Sequence, residues 1–154
     1  GQKIIPVVID SYGGQVYSLM SMISTIKSSD LPIATIVEGK AMSCGAILLS
    51  FGTEGYRFVD KDATVMIHDV SSGQLGKVEE VVASAKETER LNAVVYKMMA
   101  QNCGKKDDYF LKLVDKKKHA DWFLNADECV KHGLANHTRV PKISVNVDVA
   151  IEFE

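Results

Sequence analysis

The order of hydrophobic patterns along the chain predicts an α/β fold with a mainly parallel sheet. Three observations carry this. Two short continuous apolar runs, at residues 4–9 and 33–37, enclose a stretch with helical spacing. Two more β-type runs follow at 56–59 and 63–67. A long stretch of helical spacing then occupies 77–101. Strands alternating with helices mark a sheet whose faces are covered by helices.

Each element has its own signal. The first run is broken only by Pro6, near its start, and reads as a strand covered on both faces. Val16, Leu19, Met20, Ile23 and Ile26 form a helical stripe within 15–28. Pro32 opens the second strand, and the small, apolar stretch 43–51 reads as a buried helix with Ser43 in its first turn. Asp60-Lys61-Asp62 supplies a turn between the next two strands. Val78, Val81, Val82, Ala85, Val94, Val95, Met98 and Met99 recur at mostly three- and four-residue spacing. They predict a helix about 37 Å long, which Gly104 stops. A shorter helix is expected near 107–115. Asn125 and Glu128 have the spacing of a capping box, with Gly133 as the stop. A short strand is expected at 134–140. Strict alternation of Ile143, Val145, Val147, Val149, Ile151 and Phe153 with mostly polar residues predicts a half-buried strand at 143–153.

Composition excludes several classes. A chain of 154 residues without repeats or Pro-rich linkers reads as one domain, 1–154. A formal charge of −2 leaves no polybasic surface for nucleic acid or an anionic membrane. No apolar run approaches the roughly 18 residues of a membrane span. Cys44, Cys103 and Cys129 are odd in number and lack metal-ligand spacing. They are expected as free thiols in a reducing compartment, the cytoplasm, with no metal and no cofactor.

Chemistry is concentrated in segments that follow β-type runs. Gly13 and Gly14 lie in Asp10-Ser11-Tyr12-Gly13-Gly14-Gln15-Val16, Ser43 between small residues, and His68 at the end of Val65-Met66-Ile67. A serine hydroxyl needs a neutral imidazole as base, and the imidazole needs an acid to orient it. Asp121, heading the apolar run Trp122-Phe123-Leu124, is the best candidate acid and is expected to be partly buried. Asp69 adjoins His68, but neighbours on a strand point to opposite faces. The N–H groups of Gly14 and Cys44, each at a helix entrance, are the candidate oxyanion donors. Cys44 is expected to turn its thiol away as a small buried side chain. Lys40 reads as a solvated strand-end lysine, and Lys116-Lys117-Lys118 as a solvated loop.

With these segments in place the chain resembles the proteolytic subunit of the Clp protease family over about residues 3–139. The family's S-P-G-G-x-V appears as Ser11-Tyr12-Gly13-Gly14-Gln15-Val16, and its G-x-A-A-S-M-G-A as Gly39-Lys40-Ala41-Met42-Ser43-Cys44-Gly45-Ala46. Its R-V-M-I-H-Q-P appears as Thr64-Val65-Met66-Ile67-His68-Asp69-Val70, and its D-R-F-L-S-A-x-E-A as Asp121-Trp122-Phe123-Leu124-Asn125-Ala126-Asp127-Glu128-Cys129. The spacings fit too: 29 residues from Gly14 to Ser43 and 25 from Ser43 to His68. The resemblance implies a ClpP/crotonase-like fold of repeated β-β-α units with a long handle helix. It implies a serine endopeptidase acting on peptides or unfolded proteins, with Ser43, His68 and Asp121 as triad and Gly14 and Cys44 as oxyanion hole. It further implies a homo-oligomer of stacked rings and raises an AAA+ unfoldase as partner.

The chain also departs from that pattern. Tyr12 stands for a proline, Asp69-Val70 for Gln-Pro, and His119-Ala120 for the acid–arginine pair that links site alignment to ring assembly in the family. The family's axial-loop segment has no counterpart ahead of the first strand, which leaves the unfoldase partnership open. The alternating tail lies outside the resemblance. Two other classes stay open: a non-catalytic structural subunit of the same fold, and a crotonase-like acyl-CoA enzyme. The Ser–His pair weighs against the last, since such enzymes usually place glutamates there.

Overall fold

The computed structural model describes residues 2–147. Its centre is β2 (Ile33–Met42), flanked by β1 (Ile5–Ser11) on one edge and by β3 (Arg57–Val59) and then β4 (Thr64–Ile67) along the other. All three pair parallel to β2. The turn at Asp60 moves the chain from β3 to β4. Asp62 N–H donates to Asp60 Oδ1 at 3.0 Å and Ala63 N–H to Asp60 O at 3.0 Å. Residues 33–37 are all buried, because both faces of the central strand are covered. This is why they form an unbroken apolar run.

The helices are α1 (Val16–Lys27), α2 (Cys44–Ser50), α3 (Val78–Asn102), α4 (Tyr109–Lys116) and α5 (Ala126–His132). Helix α2 sits inside the main core, with Ala46 and Leu49 fully buried beside Leu19 and Ile23 of α1 and Val95 and Met99 of α3. The α3 terminus follows from its glycine. Gly104 takes φ +64°, its N–H donates to Gln101 O at 3.1 Å, and Lys105 N–H donates to Ala100 O at 2.8 Å. Asn125 caps α5 as its spacing predicts. Its side chain accepts from Glu128 N–H at 2.9 Å, and Glu128 Oε2 accepts from Asn125 N–H at 3.0 Å.

Four expectations need correction. Strand β1 is not covered on both faces: Ile9 is buried, but Val8 is 56% exposed, and burial alternates along the strand because helix packing, including α2, covers one face. Residues 134–140 do not form a strand. They make one bridge, His137 to Phe58, where His137 stacks on the Phe58 ring at 4.7 Å. The Arg57 carbonyl takes the N–H of both Asn136 and His137, so the chain is pinned there without a ladder. Residues 143–147 of the alternating tail have no regular structure, and Val145 and Val147 are exposed. Alternation supplies a strand with a face but not with a neighbour to pair with. Residues 148–153 of that expectation lie outside the described part. Finally, Trp122–Leu124 forms β5, which pairs antiparallel with β4. The sequence marked those residues only as an apolar run.

Candidate functional site

Two strand registers build the site. In the parallel pair β2–β4, Met42 stands beside Met66, and Ser43 N–H donates to Met66 O at 2.8 Å. The residue that leaves β2 is thus fastened to the strand that ends in His68. In the antiparallel pair β4–β5, Ile67 stands opposite Trp122. Continued by one residue, that register sets His68 opposite Asp121. Their side chains face each other with His68 Nδ1 3.8 Å from Asp121 Oδ1.

Ser43 is the hinge between β2 and α2, with φ 53° and ψ −121°. A non-glycine residue there is strained, and strain of this kind belongs to turns that present a side chain. Gly13 takes φ +109° and packs on Ser43 so closely that any Cβ would collide with it. Gly14 leads toward α1, and its carbonyl accepts the Cys44 thiol at 3.2 Å. Gly13, Gly14, Cys44 and Leu48 help line a cleft of about 280 Å³ between α1 and α2. Among the described residues, neither Gly14 N–H nor Cys44 N–H donates to a protein acceptor. Burial raises the Cys44 thiol above its usual range, so the group beside Ser43 stays protonated at neutral pH.

The structure links Ser43 to the strand that leads to His68, sets Gly13 against Ser43 and Gly14 against Cys44, and faces His68 with Asp121, with two qualifications. Asp121 is more than half exposed, not partly buried, since β5 is short and nothing among the described residues covers its start. His68 and Asp121 are apart by more than a hydrogen bond, and among the described residues the His68 ring has no closer charged partner. Lys40 also differs from expectation. It is not simply solvated: its ammonium lies 2.6 Å from Asp10 Oδ1 and 4.4 Å above the Tyr12 ring.

Sequence reasoning missed a second His–Asp contact beside the first. Asp69 turns away from the His68 ring, and its Oδ2 accepts from His119 Nδ1 at 2.6 Å. Its Oδ1 accepts from Asn92 Nδ2 at 2.9 Å. Fifty residues separate Asp69 from His119, and only the β4–β5 pairing reveals that they are neighbours. Among the described residues, no cluster of three or more His, Cys, Asp or Glu has the arrangement of a metal site. No helix among them is long and apolar enough to cross a membrane.

The fold is a largely parallel α/β sheet with a strained serine at a strand–helix hinge and a histidine and an aspartate just beyond the facing ends of β4 and β5. The family model described as Clp protease matches residues 1–141, and the chain belongs to that family.

Proposed function

We propose that this protein is a serine endopeptidase of the Clp type, with Ser43 as nucleophile, His68 as general base and Asp121 as the acid that orients it. The observation that carries the reading is the double register. β2–β4 delivers Ser43 to the end of β4, and β4–β5 delivers Asp121 to the same end. His68 would take the Ser43 proton as the hydroxyl attacks a peptide carbonyl, then hand it to the leaving amine. The N–H groups of Gly14 and Cys44 would hold the oxyanion. Loss of one such donor typically costs about 10²–10³ in rate.

The substrates on this reading are peptides and unfolded proteins, and the working form is a homo-oligomeric chamber. Support for assembly comes from α3. Its first half projects from the core with Val78 75% exposed and Val81 and Val82 also open, and Leu75 just ahead is 96% exposed. Apolar side chains grouped this way mark a surface that meets another chain. An AAA+ unfoldase as partner and a cytoplasmic location belong to the same reading.

One observation favours a second reading, a non-catalytic subunit of the same fold: the 3.8 Å gap between His68 and Asp121. Labelling with a serine-directed fluorophosphonate separates the two. Wild type labels and Ser43→Ala does not, while light scattering reports an oligomer at micromolar concentration. Absence of Ser43-dependent labelling in the assembled protein would establish the non-catalytic reading instead.

A further inference from the structure

We propose that Asp69 and His119 are a positioning pair, a clasp that closes the open end of the β4–β5 ladder and sets the distance between His68 and Asp121. The proposal rests on the peptidase reading above and deepens it by assigning what aligns the site. The ladder ends at Ile67 and Trp122. Beyond it, His68 and Asp121 stand on segments outside both strands. Asp69 directly follows His68, and His119 precedes Asp121 by two residues. The hydrogen bond from His119 Nδ1 to Asp69 Oδ2 crosses this gap at 2.6 Å, far shorter than the contact it flanks.

Both ends of the clasp are anchored. Asn92 of α3 donates from Nδ2 to Asp69 Oδ1 and accepts from Val70 N–H, each at 2.9 Å. This fixes the chain just after His68 against the helix. The Tyr96 hydroxyl, also on α3, is buried without a hydrogen-bond partner among the described residues. It lies close enough to Asp69 that the carboxylate adds to the effect of burial in raising the phenol. At the other end, Lys118 and His119 take φ 55° and 58°, and His119 N–H donates to Val114 O at 3.1 Å. That left-handed pair reverses the chain out of α4 and turns the imidazole toward Asp69. The other titratable groups near the clasp are Asp115 of α4, 3.7 Å from His119 Nε2, and the flanking His68 and Asp121.

The His119 ring is 61% exposed, so the pair contributes little to folding. Its consequence is geometric. Asp121 is held by a short segment, and a misplacement of about 1 Å in a catalytic group costs roughly 10²-fold in rate. The clasp therefore acts on turnover rather than on substrate binding.

The test uses the full chain and a fluorogenic peptide. His119→Ala lowers kcat by about 10- to 100-fold with KM unchanged. His119→Asn, which keeps an N–H donor near the Nδ1 position, restores most of it. The double variant His119→Ala/Asp69→Ala is no worse than His119→Ala alone. Imidazole NMR reads the clasp without turnover: the His68 ring resonances move in His119→Ala and return in His119→Asn. Unchanged kcat and unmoved His68 resonances in His119→Ala would overturn the proposal. So would a loss of thermal stability that tracks the loss of activity and that His119→Asn does not rescue. A wild-type protein without Ser43-dependent labelling would instead overturn the peptidase reading, and the NMR comparison would still decide the clasp.

Discussion

Gly13 and Ser43 are packed backbone to side chain: a Cβ on Gly13 would stand 2.7 Å from Ser43 Cβ and 3.0 Å from Met42 O. The contact joins the end of β1 to the β2–α2 hinge. It explains why the glycine pair and the serine occur together in one site although 30 residues separate Gly13 from Ser43. Gly13→Ala faces both this collision and a φ of +109° that an L side chain resists. We predict a destabilisation of about 1–3 kcal/mol. Ser43 probe labelling should fall on the order of 100-fold as the hinge shifts. Thermal unfolding and labelling kinetics on the same sample check both.

Arg57 fastens the far side of the sheet. Its guanidinium is buried and donates to Ser50 O at 3.2 Å, Asn102 O at 3.2 Å, Gly133 O at 3.0 Å and Asn136 Oδ1 at 3.1 Å, with Glu54 as ion partner. Arg57→Met keeps the aliphatic volume and removes the guanidinium donor from Asn102 O and Gly133 O, while Ser50 O keeps Asn102 Nδ2 and Asn136 Oδ1 keeps the N–H groups of Gly55 and residue 57. Each unsatisfied buried group costs about 1–3 kcal/mol, so a loss of about 3 kcal/mol or more is expected by urea denaturation. Arg57→Lys rescues little, because a single ammonium cannot serve the same fork.

Cys103 and Cys129 govern stability in base. Burial pushes both thiols up to about 12, from 9.0 in the open chain. The folded protein therefore holds protons that the unfolded chain releases. The stabilisation is complete below pH 9 and is lost as pH rises toward 12, by at most about 1.4 kcal/mol per pH unit for each thiol. Denaturant midpoints at pH 8 and pH 10 should fall for wild type and fall less for Cys103→Ala. At pH 7 the folded protein should resist thiol reagents.

His132 acts at the acid end. Burial lowers its pKa below 6.5, and Lys131 adds to the effect. Its Nδ1 lies 2.8 Å from the Tyr109 hydroxyl, and the ring meets Trp122 edge-on at 4.9 Å. The unfolded chain takes up the proton first. Stability present above pH 6.5 is thus lost as pH falls through the lower, folded value. His132→Gln should flatten the drop in urea midpoint between pH 7 and pH 5. Trp122 follows Asp121, so wild-type activity should decline over the same window.

Much of the fold was legible because local pattern and tertiary role agree. The buried run 33–37, the alternately buried run 63–67, the α3 stripe with its Gly104 stop, and the Asn125–Glu128 box all report one element's own geometry. The positions of Ser43, His68 and the glycine pair at the ends of elements were legible as well, since each ends or follows such an element. Strand β5 escaped notice because three residues carry too little period to separate strand from buried loop. The tail misled because alternation describes a face and not a neighbour.

What the sequence determined by itself was which side chains stand at the ends of which strands, for that depends on spacing within one segment. Which ends meet was decided by tertiary structure. The β4–β5 register placed Asp121 opposite His68, and the same pairing joined His119 to Asp69 across fifty residues. The physical reason is that register is set by hydrogen bonds and burial between segments, and neither is written in either segment alone.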